Sequence, residues 1–307
     1  LDCEGGVFYA KRYNGLSRPP ASVAFTHRMI RQTIAAGVEA PVALPDTQGD
    51  DVLVFSGDLL ALYPDMGGVP LVDDDVTPDE ARTIGTMLGQ IHNAAGGMMT
   101  AGRPPAGLRI GTRVLRHQRP DAFFERVLAS DRALAARFEH HPLKTRVMSL
   151  LRACGRRLAA VATRCPTAVV HGDFGPGNVL LRAAGGGAVI DWDLADVDLA
   201  VWDLARAIDR ISVRWPQDFG APTEIRGDVL RAALHGYTSQ RELSSFERAA
   251  LPVLTAASRV DLDCSVLAMC GPVEPDILDP ILNRCINRLS RAAAGCPEIA
   301  LELAVRT

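Results

Sequence analysis

The segment His171-Gly172-Asp173-Phe174-Gly175-Pro176-Gly177-Asn178 sets a carboxylate and a carboxamide five residues apart, and the apolar run behind it ends in Ile190-Asp191-Trp192-Asp193. Phosphoryl transfer from a magnesium nucleotide needs such a set. The moving phosphoryl carries charge that must be neutralised, and its attacking and leaving oxygens must be held in line, so the chemistry rests on positioning and electrostatics. Magnesium takes one or two protein oxygens beside phosphate oxygens and water, which suits Asn178 and Asp191 as its ligands. Asp173 is left to face an acceptor hydroxyl, orient it and accept its proton.

These groups need rigid backbone on either side. Thr167 to Val170 is a short β-rich run leading in, Val179 to Leu181 leads out, Gly185 to Gly187 makes a hairpin turn, and Ala188 to Ile190 returns. Gly and Asp alone would also suit an ordinary turn; the flanking apolar runs set this segment apart. From Asp173 to Asp209 there are seven aspartates (173, 191, 193, 196, 198, 203, 209), with only Arg182 and Arg206 between them. Such a cluster repels itself unless a divalent metal or a cationic substrate relieves it, or unless Asp196, Asp198 and Asp209 cap helices or lie in solvent.

The spacing from Asp173 to Asn178 is that of the protein-kinase catalytic loop, H-x-D-x-x-x-x-N, but Gly172 stands where protein kinases carry Arg. H-G-D-x-x-x-x-N, a hairpin, Ile190-Asp191-Trp192-Asp193 and then Trp202-Asp203-Leu204-Ala205 together resemble the aminoglycoside phosphotransferase and choline kinase family, which includes homoserine kinases. Val7 to Tyr13, with Lys11, is similar to that family's nucleotide-lysine strand. Ala61-Leu62-Tyr63-Pro64 is similar to its hinge, and Leu88-Gly89-Gln90-Ile91-His92 to its first large-lobe helix. The resemblance implies an α+β, protein-kinase-like two-lobe fold: a small N-terminal antiparallel sheet with a helix over residues 1–66, and a large, mostly helical C-terminal lobe over 67–307. It implies ATP or GTP as donor and Mg2+ as cofactor. Asp173, His171 and Asn178 are the expected catalytic group, with His171 bracing the loop rather than acting as a base. Lys11 is expected on phosphate, backbone near Leu62 and Tyr63 on the base, and Asp203 as a structural brace.

Lysine usage supports Lys11 independently. Of 33 Lys and Arg residues only Lys11 and Lys144 are lysine, and a compact ammonium suits phosphate contact where a broad guanidinium does not; a plain surface lysine is the alternative. Two departures from the family pattern stand out. The chain starts at Leu1 and reaches the Lys11 strand almost at once, so the preceding strand and phosphate-covering loop are expected to be missing. Thr26 falls where the family's helix carries a Glu that pairs with the lysine, which leaves the partner of Lys11 unidentified.

A chain of 307 residues, 48% hydrophobic and 22% charged, is long enough for two lobes with real cores. Net charge of −3 implies no nucleic-acid partner. The sequence has no apolar run of about 18 residues and no secretory leader, so neither a membrane span nor export is expected. Seven cysteines without C-x-x-C spacing read as buried thiols in a reducing cytoplasm. Strands are expected at Val7 to Tyr13, Asp51 to Phe55 and Leu59 to Leu62, and helices at about Ser22 to Ala36, Asp121 to Glu139, Pro142 to Arg164 and from Val201 onward. Thr77-Pro78-Asp79-Glu80 and Ser244-Ser245-Phe246-Glu247 are capping boxes.

The leading expectation is a small-molecule kinase, monomer or homodimer, that phosphorylates a hydroxyl on a polar, amine-bearing molecule. An aminoglycoside-like antibiotic comes first, which would make the protein a resistance enzyme; homoserine or choline follows. A nucleotide-binding pseudokinase fits the Thr26 departure but not the intact Asp173, Asn178 and Asp191. A protein kinase fits less well, because no A-P-E-like segment follows Asp191. Asp193, Asp263, Glu274 and Asp276, with Asp261 and Asp279, are candidates to face the acceptor's amine, unless the loop from Val273 to Pro280 is simply solvated.

Overall fold

The computed structural model describes the chain apart from residues 1, 4–5, 14–18, 73–74, 95–118, 130, 184, 216–222, 270–277 and 305–307. In chain order the elements begin with strands β1 (Asp2–Cys3) and β2 (Gly6–Tyr13), helix α1 (Pro20–Ala35), and strands β3 (Leu53–Phe55), β4 (Asp58–Pro64) and β5 (Val69–Pro70). Helices α2 (Pro78–Asn93), α3 (Pro120–Leu128), α4 (Arg132–Glu139) and α5 (Lys144–Ala162) follow. Strands β6 (Thr167–Val170), β7 (Val179–Leu181), β8 (Gly187–Val189) and β9 (Asp196–Leu199) carry the expected chemistry. Helix α6 (Ala200–Ser212), strands β10 (Val213–Arg214) and β11 (Glu224–Ile225), and helices α7 (Gly227–Gln240), α8 (Ser245–Met269), α9 (Leu278–Ala294) and α10 (Pro297–Ala304) complete it. The fold is α+β with small antiparallel sheets, as expected.

Two compact units form. The first comprises Leu1–Leu108, Thr167–Asp203 and Ala232–Glu242, the second Arg109–Pro166, Leu204–Arg231 and Leu243–Thr307; the expected 66/67 boundary falls inside the first. In the first unit the sheet order is β1-β2-β4-β3. A strand therefore does precede the Lys11 strand, with Asp2 opposite Val7 and Cys3 opposite Gly6. Alternation along β4 sends Leu59, Ala61 and Tyr63 inward to a core with Tyr13, Val23 and Ala43. The register that pairs Lys11 with Ala61 puts Tyr9, Lys11 and Tyr13 on one face of β2. The box at Thr77 forms in full, its hydroxyl taking the Glu80 N–H and its own N–H reaching the Glu80 carboxylate.

Helix α2 crosses the α7 residues of the same unit without side chains between backbones. A Cβ at Gly85 would lie 2.0 Å from the Ala233 carbonyl oxygen, and one at Gly236 2.0 Å from that of Arg82. This approach fixes α2, whose last turn carries buried His92, 3.6 Å from the Asp203 carboxylate.

The second unit packs α3, α5, α8 and α9 together. The helix expected over Asp121 to Glu139 is two helices, because Asp131 turns its carboxylate onto the N–H groups of Ala133 and Leu134 and starts α4 afresh. The Ser244 box forms as expected, with mutual bonds between Ser244 and Glu247. Buried Cys154 donates to the Leu289 carbonyl, and burial pushes its thiol up to about 12, so it persists as a thiol. Among the described residues no helix is long and apolar enough to cross a membrane.

Candidate active site

The loop between β6 and β7 is held from two sides, by the Asp203 carboxylate and by the Ile190 carbonyl. Fully buried Asp203, at the start of α6, accepts the N–H groups of His171 at 2.5 Å and Gly172 at 3.0 Å. His171 donates from Nε2 to the Ile190 carbonyl at 2.8 Å and accepts the Asp173 N–H at Nδ1, 3.2 Å. A carbonyl can only accept and an amide N–H can only donate, so these partners fix the neutral tautomer with its proton on Nε2. Burial pushes the histidine pKa down, in the same sense, although Asp203 pulls it up. The ring packs against Trp192 at 4.8 Å and Phe174 at 5.8 Å. With both nitrogens engaged, His171 is built as a brace.

Gly172 explains the motif's departure from the protein-kinase pattern. Its φ is +82°, and a Cβ there would lie 2.2 Å from the Leu194 carbonyl oxygen. Only glycine meets both conditions. The loop then turns through Pro176–Asn178, where the Asn178 amide donates to the Asp173 carbonyl at 2.9 Å and reaches its carboxylate at 3.4 Å. The Ile190 N–H donates to the Asn178 carbonyl at 2.9 Å, so Asn178 is tied to the residue beside Asp191.

Asp191 sits in the left-handed region, φ 59° and ψ 62°, and opens a short turn over Trp192–Leu194. Aspartate tolerates this conformation better than most residues, and such positions gather at functional sites. Trp192 pins the turn, buried and donating from Nε1 to the Val189 carbonyl at 2.9 Å. The Lys11 ammonium lies 2.8 Å from Asp191 and 2.7 Å from Asp193. Burial would lower the Lys11 pKa, but Asp193 and Asp191 outweigh it and hold it above the ordinary lysine value. Lys11 also lies 5.6 Å from the Tyr13 ring centre.

Lys11, Asp191 and Asp193 line a cavity of about 480 Å³ whose other walls include Tyr9, Ile30, Pro41, Met66, Leu180 and Ile190. Tyr63 lines it as well, its hydroxyl bonded to Tyr13 at 2.8 Å and His27 at 2.7 Å. Leu62 does not line it; its carbonyl is taken by the Leu44 N–H at 2.8 Å. Tyr63 and Pro64 of the expected hinge segment do, with Asp65 and Met66 just after it. Thr26 lines the cavity too, with its hydroxyl turned back to the Ser22 carbonyl. The aromatic wall escaped the sequence reading, although counting two residues either way from Lys11 along its strand gives Tyr9 and Tyr13.

The aspartate cluster is resolved mainly by the protein itself. Asp191 and Asp193 meet Lys11, Asp203 takes backbone N–H groups, and Asp196 and Asp198 are buried in β9. In the second unit, buried Asp209 meets Arg288 at 2.9 Å and the Trp215 indole at 2.5 Å, while the Arg288 guanidinium lies 4.4 Å from the Trp215 ring centre. Asp193, a candidate to face an acceptor, lies against Lys11. Asp261 and Asp263 lie on α8 with side chains outside the described part, Glu274 and Asp276 lie outside the described residues, and Asp279 is bonded to His141 at 2.5 Å.

Among the described residues no three His, Cys, Asp or Glu side chains gather as a metal cage. A cation here would rely on few protein ligands, and the donors suit a hard ion of that kind. The Asn178 amide nitrogen is spent on Asp173, which leaves its oxygen; Asp191 has one carboxylate oxygen on Lys11 and a second beside it. Two oxygens, with the rest of the shell from phosphate and water, is how magnesium is held at phosphoryl-transfer sites.

The phosphotransferase enzyme family (APH) matches residues 2–246. A homoserine kinase of Phenylobacterium zucineum (strain HLK1) is 26% identical over 262 residues, covering 83% of this chain and 71% of that protein. Among solved structures, an amicoumacin kinase in complex with AMP-PNP, Ca2+ and Ami matches with a TM-score of 0.67 and 15% identity, over 95% of this chain and 83% of that one. A microcompartment-associated aminopropanol kinase matches with a TM-score of 0.65 and 16% identity, over 96% and 87%. At these identities the solved structures share the fold.

Proposed function

The chain belongs to the phosphotransferase enzyme family, whose members phosphorylate hydroxyl groups of small molecules, and from that premise we propose that it transfers the γ-phosphoryl of ATP to a hydroxyl of a small amine-bearing molecule. The observation that carries this reading is a cavity lined both by apolar side chains and by Lys11 and Asp191. An apolar slot with a fixed cation and a carboxylate suits a purine base joined to phosphates. The neighbour solved with AMP-PNP supports ATP as donor.

In this reading residues 1–66 supply the nucleotide side, with Lys11 on phosphate and the backbone from Tyr63 to Met66 along the base. Asp173 orients the acceptor hydroxyl and takes its proton, held in place by His171 and Asn178. Asn178 and Asp191 hold Mg2+, which when bound neutralises phosphate charge. Asp203 does not touch substrate; it fixes the loop backbone at His171 and Gly172.

The acceptor's amine is supported by the names of the relatives, a homoserine kinase by sequence and an aminopropanol kinase by fold. Because a homoserine kinase is similar in sequence over most of the chain, a metabolite amino alcohol ranks ahead of an antibiotic. ADP release by the purified protein with homoserine, choline, aminopropanol and aminoglycosides identifies the acceptor. With that acceptor, Asp173→Asn lowers kcat about 10³-fold, the scale of a lost general base, while ADP binding persists. Turnover unchanged in Asp173→Asn would sink the assignment.

A further inference from the structure

We propose that Asp193 positions Lys11 for the nucleotide phosphates, as the dedicated carboxylate partner that helix α1 does not supply. The inference rests on the kinase reading above and adds a residue to it. Lys11 carries a compact charge on a flexible four-carbon stem, so its direction depends on what holds the ammonium. Helix α1, which contributes Thr26 and Ile30 to the same cavity, contains no Asp or Glu anywhere from Pro20 to Ala35. Thr26 turns its hydroxyl to the Ser22 carbonyl within the helix. No carboxylate from that helix can therefore hold Lys11.

The carboxylates that do hold it come from one short turn. Asp193 lies 2.7 Å from the Lys11 ammonium and Asp191 2.8 Å. The turn is anchored by buried Trp192, through its indole bond to Val189 and its packing on His171. The two carboxylates are not equivalent. Asp191 is tied through Ile190 to Asn178 and is the oxygen donor assigned to the cation. A carboxylate spent on a cation is weakened as a partner for lysine. Asp193, two residues on, keeps the ammonium on the cavity wall. It is a positioning residue, since its effect on the nucleotide passes through Lys11. The arrangement also lets Lys11 and Asp191 separate when nucleotide enters without leaving the lysine unpaired.

The test compares wild-type, Asp193→Asn and Asp193→Glu proteins in two measurements: steady-state kinetics with MgATP and the acceptor identified above, and calorimetric ADP binding with saturating Mg2+ and in EDTA. For Asp193→Asn the KM for MgATP rises about tenfold, kcat at saturating MgATP stays within about threefold, and ADP binding at saturating Mg2+ weakens about tenfold, whereas binding in EDTA, where Asp191 is free to hold Lys11, changes less. Asp193→Glu, which keeps the charge, stays near wild type in all of these. Unchanged ADP affinity at saturating Mg2+ overturns the proposal. If that affinity is unchanged and only the Mg2+ concentration needed rises, Asp193 is a metal ligand; if only the acceptor KM rises, it is an acceptor contact. Absence of ADP binding and turnover in the wild-type protein would overturn the kinase reading itself, a result distinguishable from failure at Asp193 alone.

Discussion

The loop from His171 to Asn178 and the strand that carries Lys11 are held by opposite means. On the loop side the fixing groups are buried: His171 and Asp203 are 0% exposed, and the bonds that set the backbone run to a charged acceptor or an oriented ring. On the strand side the pairs are partly solvated, with side-chain exposures of 32% for Lys11, 49% for Asp191 and 35% for Asp193. Buried hydrogen bonds to charge are strong, and breaking one leaves an orphaned group. Exposed ion pairs contribute about 0–1 kcal/mol and exchange partners readily. In the proposed reading, the half of the site that would orient an acceptor is preorganised, and the half that would grip and release a nucleotide is left free to trade contacts.

The largest break in this comparison comes from one methyl group on the buried side. Gly172→Ala adds the strain of a left-handed residue to a clash with the Leu194 carbonyl, together roughly 2–6 kcal/mol. Urea unfolding should show that loss, and turnover should fall to background because the Asp203 bonds to residues 171 and 172 cannot both survive. A variant with wild-type stability and rate would mean the loop relaxes freely, and the contrast with the Lys11 side would vanish.

This division also decides what could be read from the residues alone. The placing of the 171–178 loop between strands was legible because its groups are contiguous and the strands around it announce themselves; so were both capping boxes, which are local in sequence. The partner of Lys11 was not, because it lies about 180 residues away and depends on how β2 meets the turn after β8. Strand β9 was hidden because Asp196 and Asp198 make it look polar, while pairing with β6 buries both. Leu62 was expected near the base from its place in the hinge segment, but the register of β4 gives its carbonyl to Leu44. Gly172 was visible as a departure from the protein-kinase loop, yet its cause, the Leu194 carbonyl, is a tertiary contact.

Acid sharpens the comparison by a smaller amount. The His171 pKa is lowered in the fold, chiefly by burial, so below the ordinary value of 6.5 the unfolded chain binds a proton that the folded chain refuses. Stability contributed by neutral His171 is present above that value and is lost as pH falls through the folded pKa, with a slope of up to about 1.4 kcal/mol per pH unit. A proton on Nδ1 would set a donor against the Asp173 N–H and loosen the catalytic loop first. Urea midpoints between pH 8 and pH 5 should fall on acidification, and less steeply in His171→Gln. His27 is also held low, mainly by burial, so equal slopes in the two proteins would move the acid sensitivity to the Lys11 side.

The smallest effect on stability, and the clearest separation of stability from function, is expected at Asp191. Asp191→Gly places glycine where the backbone is already left-handed, relieving strain of about 1–3 kcal/mol, while the added freedom of the unfolded chain costs about 0.4–1 kcal/mol. The ion pair it removes is half-exposed and offsets little of this. Urea unfolding should therefore place the variant within about 1–2 kcal/mol of wild type, on the stable side if on either. Turnover should nevertheless collapse, because one of the two oxygens proposed to hold the cation is gone. Glycine is thus required at 172 and tolerated by the fold at 191. If Asp191→Gly lost several kcal/mol, the solvated pairs around Lys11 would be structural after all, and the two sides of the site would be held alike.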